Sequence, residues 1–134
     1  MKSIFIKEDE TVEVNIFFAK DKDGNMSLGN KKKELLEIEG MIEESLEEHK
    51  ITLKYPSHGD MINIVGRSVR IEGNGLSVDP IAARSNRLIV LLRDWTFMDE
   101  DDKKLPITSD NINNLHPSVA DFILDELEAK VGII

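Results

Sequence analysis

Asp79-Pro80 followed by the run Leu88-Ile89-Val90-Leu91-Leu92 constrains this chain more than any other stretch. An aspartate ahead of a proline is a strong helix start. The carboxylate accepts an orphan backbone N–H, and proline at the first helical position gives up only an N–H that had no partner. A helix from there to about Asp94 carries five consecutive apolar residues, and such a segment has to be buried on several sides. The chain therefore needs layers around one central helix. Its 134 residues suffice, since a chain of this size buries roughly two-thirds of its unfolded surface. One domain spanning 1–134 is expected.

The layers are legible in the periodicities. Lys2–Ile6 and Thr11–Phe18 read as strands of an antiparallel hairpin turning at Glu8-Asp9-Glu10. In the second, Val12, Val14, Ile16 and Phe18 recur with period two. Asp21-Lys22-Asp23-Gly24-Asn25 reads as a second turn. Across Lys31–Lys50, Leu35, Ile38, Met41/Ile42 and Leu46 follow a helical spacing, with strand as the alternative for part of it. Gly40 weakens that helix by up to ~1 kcal/mol relative to alanine. Ile51–Tyr55 is a strand stopped by Pro56, and a helix is expected from Ser57 or His58 through Val65. Gly73-Asn74-Gly75 marks a turn. Thr108-Ser109-Asp110 caps a short helix through Leu115. His116-Pro117 opens the last helix, whose stripe is Val119, Phe122, Ile123, Leu127 and Val131. Residues 1–56 are thus strand-rich with one helix and 57–134 mainly helical. Strands first and helices later argue an α+β fold: a small N-terminal antiparallel sheet followed by a mainly helical part.

Composition narrows function by exclusion. The absence of cysteine removes disulfides, thiolate metal sites and thiol catalysis. His49, His58 and His116 lack the paired spacing of a metal site. Asp21-x-Asp23-x-Asn25 begins like a calcium loop, but Met26 and Lys32 stand where glycine and glutamate are needed. Gly73-Asn74-Gly75 lacks the lysine-bearing continuation of a phosphate loop. No cofactor, no metal and no enzymatic role are expected. No apolar run nears the ~20 residues of a membrane span, and the N-terminus turns acidic too soon for a signal peptide. A cytoplasmic protein is the simplest expectation.

The net charge of −9 is uneven. Residues 57–93 hold all five arginines (Arg67, Arg70, Arg84, Arg87 and Arg93) against Asp60, Glu72 and Asp79, a balance of +2. Residues 94–134 set three lysines against ten acids, a balance of −7. Phosphate backbones repel such a total, so nucleic acid is not the expected partner. Arg84 and Arg87 sit early in their helix, where the macrodipole disfavours cations. They imply an acidic partner, either the chain's own tail or another protein. Trp95 and Phe97 follow the apolar helix and precede the acidic run Asp99–Asp102. They read as anchors of that turn on the core, or as interface anchors if exposed. Arg84, Arg87, Trp95 and Phe97 are the candidate partner-binding residues.

The pattern Trp95-x-Phe97-x-Asp99, an acidic turn, Leu105-Pro106-Ile107-Thr108, Asn111-Ile112 and Leu115-x-Pro117 resembles the C-terminal region of small tail assembly chaperones of long-tailed bacteriophages and prophages. Ile51-Thr52-Leu53-Lys54-Tyr55-Pro56-Ser57 resembles the strand-proline lead into their helical part, so the likeness spans about residues 51–130. Asp102 departs from it, standing where a glycine is expected in the turn. The resemblance implies a non-enzymatic helper that binds a tape-measure protein, or the tail-tube subunit, before the tail polymerises. A structural tail or head–tail connector subunit is the alternative. A third is an acidic regulator that mimics nucleic-acid charge.

Overall fold

The computed structural model describes residues 4–132. The alternating stretch of the sequence becomes its longest strand, β1 (Thr11–Lys20), with Val12, Val14 and Ile16 buried on one face. β1 turns through Asp21–Asn25 into β2 (Met26–Gly29) and pairs on its other edge with β3 (Glu47–Lys54), antiparallel in both cases. In the turn, Asp21 Oδ1 accepts the backbone N–H groups of Asp23 and Asn25, both at 2.9 Å, and Gly24 takes φ +83°. The carboxylate that resembled a calcium ligand is therefore spent on the loop itself.

The hairpin expected from Lys2–Ile6 is replaced by this one. Residues 4–10 form no strand, and Ile4 and Phe5 are exposed; Lys2 lies outside the described residues. β2 pairs with β1 only along Phe17–Lys20, so on that side the stretch Thr11–Ile16 takes no strand partner among the described residues.

The helix expected over Lys31–Lys50 is also corrected. Helix α1 covers only Lys32–Leu36, a single 3₁₀ turn follows at Glu43–Ser45, and Glu47–Lys50 belong to β3. Gly40 takes φ +82°, which ends any helical path there. The helical spacing of Leu35, Ile38, Ile42 and Leu46 was real, but pairing with β1 claims the last part of it. α1 covers the reverse face of the sheet, where Leu35 packs against Gly29 and Ala19 is buried.

Past β3, helix α2 (His58–Gly66) begins on a capping box: Ser57 Oγ accepts Asp60 N–H, and the Asp60 carboxylate accepts Ser57 N–H. Lys54, 1% exposed, reaches the same carboxylate at 2.5 Å. A two-stranded hairpin, β4 (Val69–Glu72) and β5 (Gly75–Val78), comes next. Helix α3 (Pro80–Leu91) then starts as the sequence implied, with Asp79 Oδ1 accepting the N–H groups of Ile81 and Ala82.

α3 stops at Leu91 rather than near Asp94. The chain switches directly into β6 (Leu92–Trp95), which joins the sheet beside β3, giving the strand order β2-β1-β3-β6. No glycine or proline marks the switch. It is set by the ladder with β3, where Trp95 lies opposite Ile51 and Leu92 opposite Leu53. Helix α4 (Ser109–Asn113) and helix α5 (Pro117–Val131) follow the expected caps, Thr108 and His116. The fold is α+β: a four-stranded antiparallel sheet whose inner face is covered by α3 and α5. The core runs through Val14, Ile16, Ile51, Leu53, Ile64, Leu91, Trp95, Ile123 and Leu127. None of the described helices is long and apolar enough to cross a membrane.

Candidate functional site

The segment from Trp95 to Pro117 connects β6 to α5. Trp95 is 1% exposed, and its indole N–H donates to the Leu105 carbonyl at 2.7 Å, tying the end of β6 to the far side of the acidic loop. Leu105 N–H returns to the Phe97 carbonyl at 3.0 Å. Between them Asp99 Oδ1 accepts the N–H groups of Asp101 (2.8 Å) and Lys103 (3.0 Å). Asp102 takes φ +58°, the left-handed conformation that glycine would adopt without a Cβ penalty. The turn keeps the geometry of a glycine turn despite its aspartate. Lys104 pairs with Asp94 across the base of this loop, which holds the Asp94 carboxyl below its ordinary range. Further on, Asn111 donates to the Pro106 carbonyl at 2.7 Å and Thr108 Oγ1 accepts Asn111 N–H at 3.1 Å. His116 Nδ1 caps α5 by accepting Ser118 N–H. Most of the pattern is thus spent on folding the connection from β6 to α5.

Two residues of this segment face outward instead. Phe97 is half-buried, with its ring 5.4 Å from Trp95, 4.9 Å from His49 and 6.4 Å from Phe18. Met98, next to it, is 52% exposed. The two border an open apolar groove of about 500 Å³. Its other walls are Phe18, Met26 and Leu28 of the β1–β2 hairpin, then Leu105, Leu115 and Val119 leading into α5. Methionine and aromatic side chains make such a surface adaptable in shape and large in contact area. The rim is acidic. Glu47, Glu48, Asp99 and Asp102 surround a depression next to Phe97 and Met98. Glu44 and Glu47, with Lys20 as the nearby cation, border another beside Phe18 and Met26.

The sequence candidates separate here. Phe97 lines the groove. Trp95 lies inside the core and has no surface for a partner. Arg84 and Arg87 face the chain's own last helix, the internal one of the two acidic partners expected for them. Arg84 binds Asp121 at 2.9 Å, Asp125 at 2.5 Å and Glu128 at 3.3 Å, and Arg87 binds Glu128 at 2.7 Å. Residues that sequence reasoning passed over, Phe18, Met26 and Met98, line the groove with Phe97, and Glu47 and Glu48 of β3 border the depression beside it. The available signal was the adjacency of Phe97-Met98 to Asp99–Asp102, which read as a solvated turn.

The histidines are placed in local structural roles. His49 Nδ1 lies 3.1 Å from Thr96 Oγ1, with its ring edge-on to Phe18, while His58 and His116 stand at helix starts. Among the described residues no group of three or more histidines and acids is arranged to hold a metal. No protein-family model, curated protein or solved structure matches this chain.

Proposed function

We propose that this protein is a non-enzymatic phage or prophage tail assembly chaperone-like protein. In the host cytoplasm it would hold an apolar helical segment of a tape-measure or tail-tube protein in the groove beside Phe97. The observation that carries this reading is the groove itself. It is apolar, open, large enough for several side chains of a helix, and bordered by acids. One wall of it, from Phe97 to Val119, also lies in the segment whose sequence resembles such chaperones. An amphipathic helix laid in a groove presents anchors at i, i+3/i+4 and i+7, and exposed apolar walls rimmed by charge are what such a ligand fits. Weak, adaptable contacts through methionine suit a helper that is shed when polymerising subunits compete for the same segment.

Co-expression with a long helical tape-measure protein tests the reading. The wild type should keep that protein soluble and be retained with it in a pull-down. Phe97→Ala should lose most of the retention while its melting temperature stays within a few degrees, because Phe97 is only half-buried. Particles purified from the same source should lack the protein. Its presence there as a stoichiometric component would replace the chaperone with a structural tail or connector subunit. Equal retention by Phe97→Ala would remove the groove from the account.

A further inference from the structure

The sheet has a gap on the β2 side of β1. Glu10 accepts the Tyr55 N–H at 2.8 Å, so its carbonyl faces β3, and by alternation the backbone groups of Val12, Val14 and Ile16 face β3 as well. Those of Thr11, Glu13 and Asn15 therefore point the other way, along the stretch of β1 that β2 leaves unpaired. One donor among the described residues reaches them: Lys130 of α5, whose ammonium group lies 2.6 Å from the Glu13 carbonyl. Thr11 and Glu13 are exposed and Asn15 is half-buried, so the edge is open to solvent. An open edge is a template for another strand, and a lysine placed on it guards against indiscriminate pairing. The long stem of that lysine lets it move aside for a strand that fits.

We propose that this edge takes residues Lys2–Ile6 of a second copy as an added strand, each copy lending its segment to the other across a two-fold axis. Pattern favours this occupant. The segment carries Ile4, Phe5 and Ile6, all strong β formers, and fits within the open stretch Thr11–Ile16. Ile4 and Phe5 are 85% and 75% exposed where they stand. Placed with Ile4 and Ile6 on the face of Val12 and Val14, the segment lengthens the apolar row of the sheet. Charge points the same way. Residues 1–7 hold Lys2 and Lys7 and no acid, in a chain of net charge −9, and the edge presents Glu13. The route of the chain separates a second copy from the segment's own β1. Glu10 N–H donates to the Lys7 carbonyl at 3.1 Å, and Glu8 stands 4.0 Å from Lys54 of β3. This turn lies on the β3 side, so the segment ahead of Lys7 leaves across the strand from the open edge. Exchange of like segments closes after two copies, and main-chain pairing supplies the affinity, as in other strand additions. The proposal does not rest on the groove, which is lined by different residues.

Light scattering on the intact chain decides it. At about 100 μM the wild type should show twice the mass of one chain, as a micromolar dimer does. Two variants act on the two halves of the contact. Ile4→Asp changes an exposed residue outside the core and sets an acid against Glu13, and it should run at the mass of one chain. Glu13→Pro should do the same, because it removes an outward N–H and leaves the ladder with β3 intact. A wild type that stays monomeric, or a folded variant of either kind that still dimerises, overturns the proposal. Hydrogen exchange read residue by residue on the unmodified protein does not depend on a variant folding. The amides of Glu13 and Asn15 should exchange at least several-fold more slowly at about 100 μM than at about 2 μM, while those of Val12 and Val14 change little. Equal protection at both concentrations would mean that the chain's own segment covers the edge, and no protection that nothing does; either overturns the proposal.

Discussion

Lys54 shows how one residue joins the sheet to the helical part. A lysine at the end of β3 is buried to 1% exposure because Asp60, in the first turn of α2, stands 2.5 Å from its ammonium group. The carboxylate also accepts the Ser57 N–H and hydroxyl, at 2.9 Å each. Burial pushes the Asp60 carboxyl upward, but the bonds from Lys54 and Ser57 outweigh it and hold the group below its ordinary value of 3.8. A carboxyl whose pKa is lowered by folding stabilises the protein fully above the unfolded value, and that contribution is lost as pH falls through the folded one. Asp60→Asn should therefore cost stability at neutral pH, on the order of 2 kcal/mol for a partly buried, charge-paired cap. The gap from the wild type should narrow as pH drops below 3.8. Urea melts of both proteins at pH 7 and near pH 3 check this; a gap that is constant or wider at the lower pH would show that the ionised pair is not the source.

At the scale of elements, α3 and α5 are clamped by charge as well as by Leu88, Leu91, Ile123 and Leu127. The macrodipole argument against cations early in α3 is answered by three carboxylates of α5 around Arg84 and one on Arg87. The two arginines differ in exposure, 31% against 14%, and that decides what each contributes. Arg84 faces solvent-exposed acids, so Arg84→Ala should cost about 1 kcal/mol, less as salt is raised. Arg87→Ala should cost more, about 2–3 kcal/mol, with little salt dependence, because it leaves a partly buried gap and a carboxylate short of a partner. Thermal melts at low and high salt separate the two; equal losses with equal salt sensitivity would mean both bridges are surface decoration.

The same elements show what was legible in the sequence. α2, α3 and α5 begin at caps, Ser57, Asp79 and His116, whose chemistry is local and could be read from neighbouring residues. The span from Lys31 to Lys50 was misread because its apolar spacing fits a helix, and only the ladder with β1 draws Glu47–Lys50 into a strand. The end of α3 was misread for the same reason: Arg93 and Asp94 extend because β3 offers an edge, a fact stored some 40 residues away. The groove was the least legible feature. Phe18, Met26 and Phe97 meet only through the sheet register, whereas the acidic loop beside them was visible but pointed to nothing without that neighbour.

For the whole molecule, the distribution of charge bears on the partner proposed for the groove. The groove is apolar inside and bordered by Glu44, Glu47, Glu48, Asp99 and Asp102, with Lys20 the cation beside it. A helical segment bound there should therefore be apolar along the seated face and rich in lysine or arginine along its flanks. Rim charges act mainly on encounter rate and on salt dependence, while the buried anchor governs dissociation. With such a segment as a synthetic peptide, Glu47→Lys with Glu48→Lys should slow association about tenfold or more and flatten the salt dependence, leaving dissociation close to wild type. Phe97→Ala should do the reverse, speeding dissociation by roughly 30-fold, the equivalent of about 2 kcal/mol at an interface anchor. Stopped-flow binding at about 50 and 500 mM salt reads both effects. Association that ignores salt would leave the acidic rim without a part in recognition. Dissociation unchanged by Phe97→Ala would place the seat of the partner elsewhere on the molecule.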